Sequence, residues 1–126
     1  MKLPLSFSKD QKKEFFLALV LRNEKINAVF LEETQGKIHV LSKHAEPFEK
    51  SIEESTDEEL LETADKAISA AEQSLPEKLE TVKTIFGVKG SWVEENKIKK
   101  DYLVKLKRIS DELGLVPIGF LVIFEA

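Results

Sequence analysis

Glu14 to Glu33 reads EFFLALVLRNEKINAVFLEE, and the two halves of that stretch decide the fold. Glu14 to Arg22 is almost wholly apolar, the pattern of a strand covered on both faces and therefore central in its sheet. Asn23 to Lys25 is short and polar. Ile26 to Glu33 then resumes a strand pattern, so the two runs predict a β-hairpin. Thr34, Gln35 and Gly36 make the next turn, with Gly36 able to take positive φ, and Lys37 to Lys43 (KIHVLSK) alternates as a half-buried third strand. The result is an antiparallel meander.

Beyond the meander the period changes. Glu46 to Glu62 is acid-rich, and Thr56 with Glu59 forms an [ST]-x-x-E capping box. Leu60, Leu61, Ala64, Ala67, Ile68, Ala71 and Leu75 recur at three- and four-residue spacing, which predicts an amphipathic helix stopped by Pro76. Its first-turn carboxylates suit the positive end of the helix dipole, so the acidic run has a structural meaning before a functional one. Thr81 to Val88 (TVKTIFGV) is rich in β-branched residues and reads as a fourth strand. Ser91 to Lys99 predicts a short projecting hairpin turning at Glu95 and Asn96. A second helix follows from about Lys100, with Leu103, Leu106, Ile109 and Leu113 on one face and Gly114 just past its end. Pro117 to Phe124 (PIGFLVIF) is a continuous apolar run and predicts a buried fifth strand.

The order is strand, strand, strand, helix, strand, helix, strand. Helical crossovers of this length favour parallel strands, so the last two strands should run parallel to the first. This is the ribonuclease-H-like α/β topology, a mixed sheet with helices packed on it. Residues 1–13, with Leu3, Leu5 and Phe7 among lysines, read as a flexible N-terminal tail, and residues 14–126 as one domain.

Composition narrows the function. The 126 residues carry 19 Lys plus Arg against 23 Asp plus Glu, a net charge of −4, which disfavours nucleic acid as a partner. With no Cys there is no disulfide framework or thiolate chemistry, and two His are too few for a His-only zinc site. No window approaches the roughly 20 apolar residues of a membrane-spanning helix, so a cytoplasmic location is expected. Two-metal nuclease chemistry needs a carboxylate within the first strand. That strand offers only Phe15, Phe16, Leu17, Ala18, Leu19, Val20 and Leu21 after Glu14 at its edge, so a ribonuclease-H-like nuclease ranks last. His39 and His44 read as surface or edge residues, and Glu125 as a strand terminus.

Leu17 to Leu31, LALVLRNEKINAVFL, resembles the first phosphate hairpin of the actin-like ATPase superfamily, with Ile26, Asn27, Ala28, Val29, Phe30 and Leu31 fitting its second strand without a gap. The rest is similar to the bacterial FtsA and PilM branch. The matching residues are Asp65, Ala67, Ile68, Ala71 and Glu72 in the first helix, the TIFGV ending of the fourth strand, and Leu106, Ile109, Glu112, Leu113, Gly114, Leu115, Pro117, Ile118 and Phe120 in the late helix-strand unit. Carried across without gaps, the family's aspartate falls on Val20, its glycine on Arg22 and its threonine on Asn23. Val20 cannot position a metal-bound water, and Arg22 puts a side chain where backbone would approach phosphate.

The resemblance implies half of a two-lobed protein, because the superfamily's nucleotide lies in a cleft between two such halves. The chain is either the first half of a longer actin-like protein or a stand-alone half. The leading expectation is a non-catalytic scaffold of a membrane-associated assembly, of the type IV pilus or cell-division kind. Such a module binds protein partners, and copies of itself through the exposed hairpin or the third-strand edge, and is peripheral at the inner membrane through those partners. The alternative is the N-terminal half of a nucleotide-binding ATPase, with no cofactor in this chain alone and ATP with magnesium in a longer form. Candidate phosphate-binding residues are Arg22, Asn23, Lys25 and, in the glycine-flanked Gly87 to Ser91 loop, Lys89. Trp92 and Val93 are candidate partner contacts if the hairpin exposes them, and core residues if Trp92 packs under the second helix.

Overall fold

A computed structural model describes residues 13–79 and 82–124 of the chain. The meander consists of β1 (Lys13–Leu21), β2 (Lys25–Thr34) and β3 (Lys37–Pro47). A 3₁₀ turn (Ile52–Glu54) leads into α1 (Asp57–Glu72), and β4 (Lys83–Lys89) follows. A second 3₁₀ turn (Gly90–Trp92) precedes the two-residue strands β5 (Val93–Glu94) and β6 (Lys97–Ile98), then α2 (Lys100–Leu113) and β7 (Val116–Ile123). The main sheet has the order β3-β2-β1-β4-β7. β1 to β3 pair antiparallel, β4 is parallel to β1, and β7 is parallel to β4. This is the expected mixed α/β arrangement. The tail proposed for residues 1–13 lies outside the described residues except for Lys13, which opens β1.

Local chemistry fixes the boundaries. At α1, the Thr56 hydroxyl accepts from the Glu59 N–H at 3.1 Å while the Thr56 N–H donates to Glu59 Oε1 at 2.8 Å, the complete capping box. Gln35 and Gly36 both take positive φ between β2 and β3, and Glu95 and Asn96 do so between β5 and β6. These are the mirror-image turns whose twist matches a tight hairpin. Gly114, at φ +67°, ends α2 in the left-handed region.

The core lies between one face of the sheet and both helices. Ion pairs from Lys105 to Asp57 and from Arg108 to Glu58 tie α2 to α1, so the helices share that face. Leu17, Leu19 and Leu21 point into it at no more than 1% exposure, and Ile26, Ala28, Phe30, Phe86 and Val88 line it from neighbouring strands. The Ser42 hydroxyl, buried on β3, donates to the Ala71 carbonyl at 2.5 Å and fastens the last turn of α1.

Two expectations are corrected. β1 is central, but only one of its faces is sealed: Phe16, Ala18 and Val20 on the other are half-buried, because no helix among the described residues covers that side. The last strand is not buried. β7 is a sheet edge, with Ile118 50% and Leu121 65% exposed, since no strand among the described residues lies on its outer flank. An apolar run of eight residues reports affinity for a core, and it does not report which strand order the crossovers impose.

Candidate functional site at the carboxyl end of the sheet

In an open sheet with parallel strands, ligands bind beyond the carboxyl ends of the strands, where the strand order reverses. Here the chain leaves β1 toward β2 on one side and returns to β4 on the other, so that point lies between β1 and β4. Val20 is level with Gly87, so Arg22, the first residue past β1, comes at the same end of the sheet as Lys89, the last residue of β4.

The β1–β2 turn carries Arg22, Asn23 and Lys25. The Arg22 N–H donates to the Lys25 carbonyl at 2.9 Å, closing the turn. The Glu24 carbonyl accepts from the Phe48 N–H at 2.9 Å and the Asn23 carbonyl from the Ile52 N–H at 2.7 Å. The turn is thus anchored through its carbonyls to the segment after β3, with Phe48 and Ile52 buried beneath. Arg22 and Asn23 are half-buried and Lys25 is exposed. Lys89 reaches the same end of the sheet, but its ammonium meets Glu53 Oε1 at 2.6 Å and its side chain is only 16% exposed. A phosphate at this position would compete with Glu53 for Lys89. Glu53 is the residue that the sequence did not reveal, because its meeting with Lys89 depends on where the 3₁₀ turn after β3 lands.

Val20, where the family pattern has its aspartate, packs on the sheet face opposite the helices. A Cβ placed on Gly87 would lie 3.1 Å and 3.2 Å from the two Val20 methyls and 3.2 Å from Ile123 Cγ2, so these side chains fill the space over the glycine. Gly87 is there for a close side-chain approach in an apolar patch. That position offers no carboxylate to a metal-bound water.

Beside the turn, a cleft of about 510 Å³ opens between the first turns of α1 and α2, with Glu53, Asp57, Asp101, Trp92, Tyr102 and Lys105 in its walls. The Lys105 ammonium beside Asp57 holds that carboxyl below its ordinary value. Trp92, 2% exposed, stacks on Tyr102 with ring centroids 4.3 Å apart and planes 4° from parallel. It is a core residue rather than an exposed anchor, and Val93 beside it is half-buried. The β5–β6 hairpin turns where predicted, yet the Lys99 N–H donates to the Trp92 carbonyl at 2.8 Å and holds its base against the body. The structure therefore gathers Arg22, Asn23, Lys25 and Lys89 at one end of the sheet and withdraws Trp92 from the surface.

No protein-family model and no curated relative matches the sequence. Solved structures do match. The Ppx/GppA enzyme of Aquifex aeolicus is 15% identical, covering 88% of this chain and 36% of its own, with a TM-score of 0.50. The type II variant of the Aquifex aeolicus Ppx/GppA phosphatase is 14% identical, covering 86% of this chain and 36% of its own, also at 0.50. This chain spans about a third of the length of the structures it matches. The likeness is one of fold: a five-strand mixed sheet with two helices, consistent with an actin-like, ribonuclease-H-like half-domain.

Proposed function

We propose that this chain is one half of an actin-like, two-lobed protein that binds a nucleotide or another phosphate ester, and that it supplies the first phosphate hairpin. The observation that carries this reading is the convergence of the Arg22–Lys25 turn and Lys89 at the strand-order switch between β1 and β4. A phosphate-bearing ligand is also what the phosphatase name of a matched structure implies for that protein. The contribution of this half is binding: Arg22, Asn23 and Lys25 present one turn to the ligand, and Lys89 exchanges Glu53 for it. Hydrolysis would need a water-activating group from elsewhere, because Val20 offers none.

The test is a thermal-shift titration of this chain and of its longest native reading frame with ATP and ADP, with and without magnesium. A ligand at about 100 times its dissociation constant adds about 2.7 kcal/mol. A shift in the long form that Lys25→Ala and Lys89→Ala reduce supports the reading, and no shift in either well-folded form defeats it.

A second reading has its own observation. The apolar packing of Val20 over Gly87, where the hydrolytic pattern has an acid, favours a non-catalytic scaffold of the FtsA or PilM kind, acting through protein partners at a membrane-associated assembly. Capture of components of a pilus or division machine by the full-length protein, unaffected by nucleotide, would separate this from the first.

A further inference from the structure

The cation that β4 brings to the candidate phosphate site is already occupied. The Lys89 ammonium meets Glu53 Oε1 at 2.6 Å, and the Lys89 side chain is 16% exposed against 50% for Glu53. Lys89 is thus walled in, and Glu53 is the partner with room to turn. Its backbone has none. Glu53 stands in the 3₁₀ turn Ile52–Glu54, whose Ile52 N–H donates to the Asn23 carbonyl at 2.7 Å and whose Ile52 side chain is buried. Ser55 closes that turn, its N–H donating to the Ile52 carbonyl at 3.3 Å and its hydroxyl to the Ser51 carbonyl at 2.9 Å. The carboxylate on Lys89 is therefore fastened to the β1–β2 turn that would hold the phosphate, and it leaves Lys89 only by rotating its side chain. The space beside it is the cleft between the first turns of α1 and α2, whose walls carry Asp57, Asp101 and Lys105. Asp57 occupies Lys105, and Asp101 takes part in no ion pair among the described residues. A third carboxylate is repelled there.

We propose that Glu53 is an autoinhibitory anion of the phosphate site, and that the charge in the cleft sets how firmly it closes. This rests on the phosphate reading above and adds its regulation. With Glu53 on Lys89 the phosphate lacks one of its cations, and with Glu53 turned into the cleft Lys89 is open to it. The apparent affinity for any anion is then the intrinsic affinity multiplied by the fraction of molecules with Glu53 turned away. Because the displaced carboxylate enters the cleft, a positive group there and a phosphate at the turn each favour the other. Negative charge from Asp101 does the reverse and keeps the site closed. The closing factor is common to all anions, so Glu53 governs affinity and leaves the choice among phosphate ligands to other contacts.

The test is a calorimetric titration of the longest native reading frame with ADP. Glu53→Gln keeps the length of the side chain and removes its charge. It should tighten ADP by about fivefold, and by much less once Lys89→Met has removed the contested cation. Asp101→Lys puts a cation in the cleft and leaves the phosphate turn unaltered. It should tighten ADP by at least about twofold, and not when Glu53→Gln is also present. Asp111→Lys makes the same charge change in the last turn of α2 and should have no effect. A second readout needs no ligand: the rate at which a small amine reagent modifies Lys89, followed by mass spectrometry, should rise in Glu53→Gln and in Asp101→Lys. All three altered carboxylates are exposed, and circular dichroism confirms that each variant is folded. ADP affinity and Lys89 modification that Glu53→Gln leaves unchanged overturn this inference alone, and so does an Asp101→Lys gain that survives Glu53→Gln. No ADP binding by the parent or by Glu53→Gln defeats the phosphate reading, and this inference with it.

Discussion

Gly87 and Val20 form a contact in which the smallest side chain exists to admit a larger one. Gly87→Ala places a methyl at 3.1–3.2 Å from Val20 and Ile123, closer than packed carbons tolerate, and should cost about 1–3 kcal/mol in urea denaturation. Val20→Ala in the same chain should return part of that loss, because the two changes share one space and are not additive. Trp92 is the single tryptophan, and its burial against Tyr102 makes it a native reporter of unfolding. Trp92→Ala should destabilise by about 3–5 kcal/mol, the range for removing a buried large aromatic, as followed by circular dichroism. An exposed partner anchor would show almost no such loss.

Among the elements, α1 has the most legible energetics. Thr56→Ala removes the hydroxyl that caps the Glu59 N–H and should cost about 1 kcal/mol at neutral pH, measured by thermal denaturation. The Thr56 N–H holds the Glu59 carboxyl below its usual 4.5, and Lys105 holds Asp57 below 3.8. Both folded-state values are depressed, so their stabilisation is complete above the ordinary values and is lost as pH falls through the lowered ones. Denaturation midpoints should therefore drop in that acidic window. Glu59→Gln keeps an acceptor for the Thr56 N–H without the titration, so it should flatten part of the drop. The links from α2 to α1 through Lys105 and Arg108 are partly exposed, and Lys105→Met should change stability by less than about 1 kcal/mol at physiological salt.

Among the described residues, the core is one cluster, at the interface between the helices and the sheet. Leu19, fully buried at the centre of that interface, should cost about 2–5 kcal/mol when changed to Ala, with one cooperative transition retained. The sheet's other face is apolar but only half-buried, and its exposure is greatest at the β3 and β7 edges. The cations of the candidate phosphate site lie at the end of this layered body, where backbone carbonyls of the β1–β2 turn are spent on holding the loop after β3.

What the sequence determined by itself is whatever depends on near neighbours in the chain. Hydrophobic period separated strands from helices. The Thr56–Glu59 box, Gly36, Glu95–Asn96 and Gly114 set the ends, because caps and turns are short-range hydrogen-bond and steric problems. Element order fixed the topology, since two helical crossovers leave few ways to return to a sheet. The tertiary structure decided whatever depends on distant segments meeting. It paired Lys89 with Glu53, drew Trp92 onto Tyr102 beneath the surface, and put both helices on one side. It also left β7, whose apolar run reads as interior, at an edge. Burial is a property of what lies across from a residue, and a one-dimensional pattern records only what lies beside it.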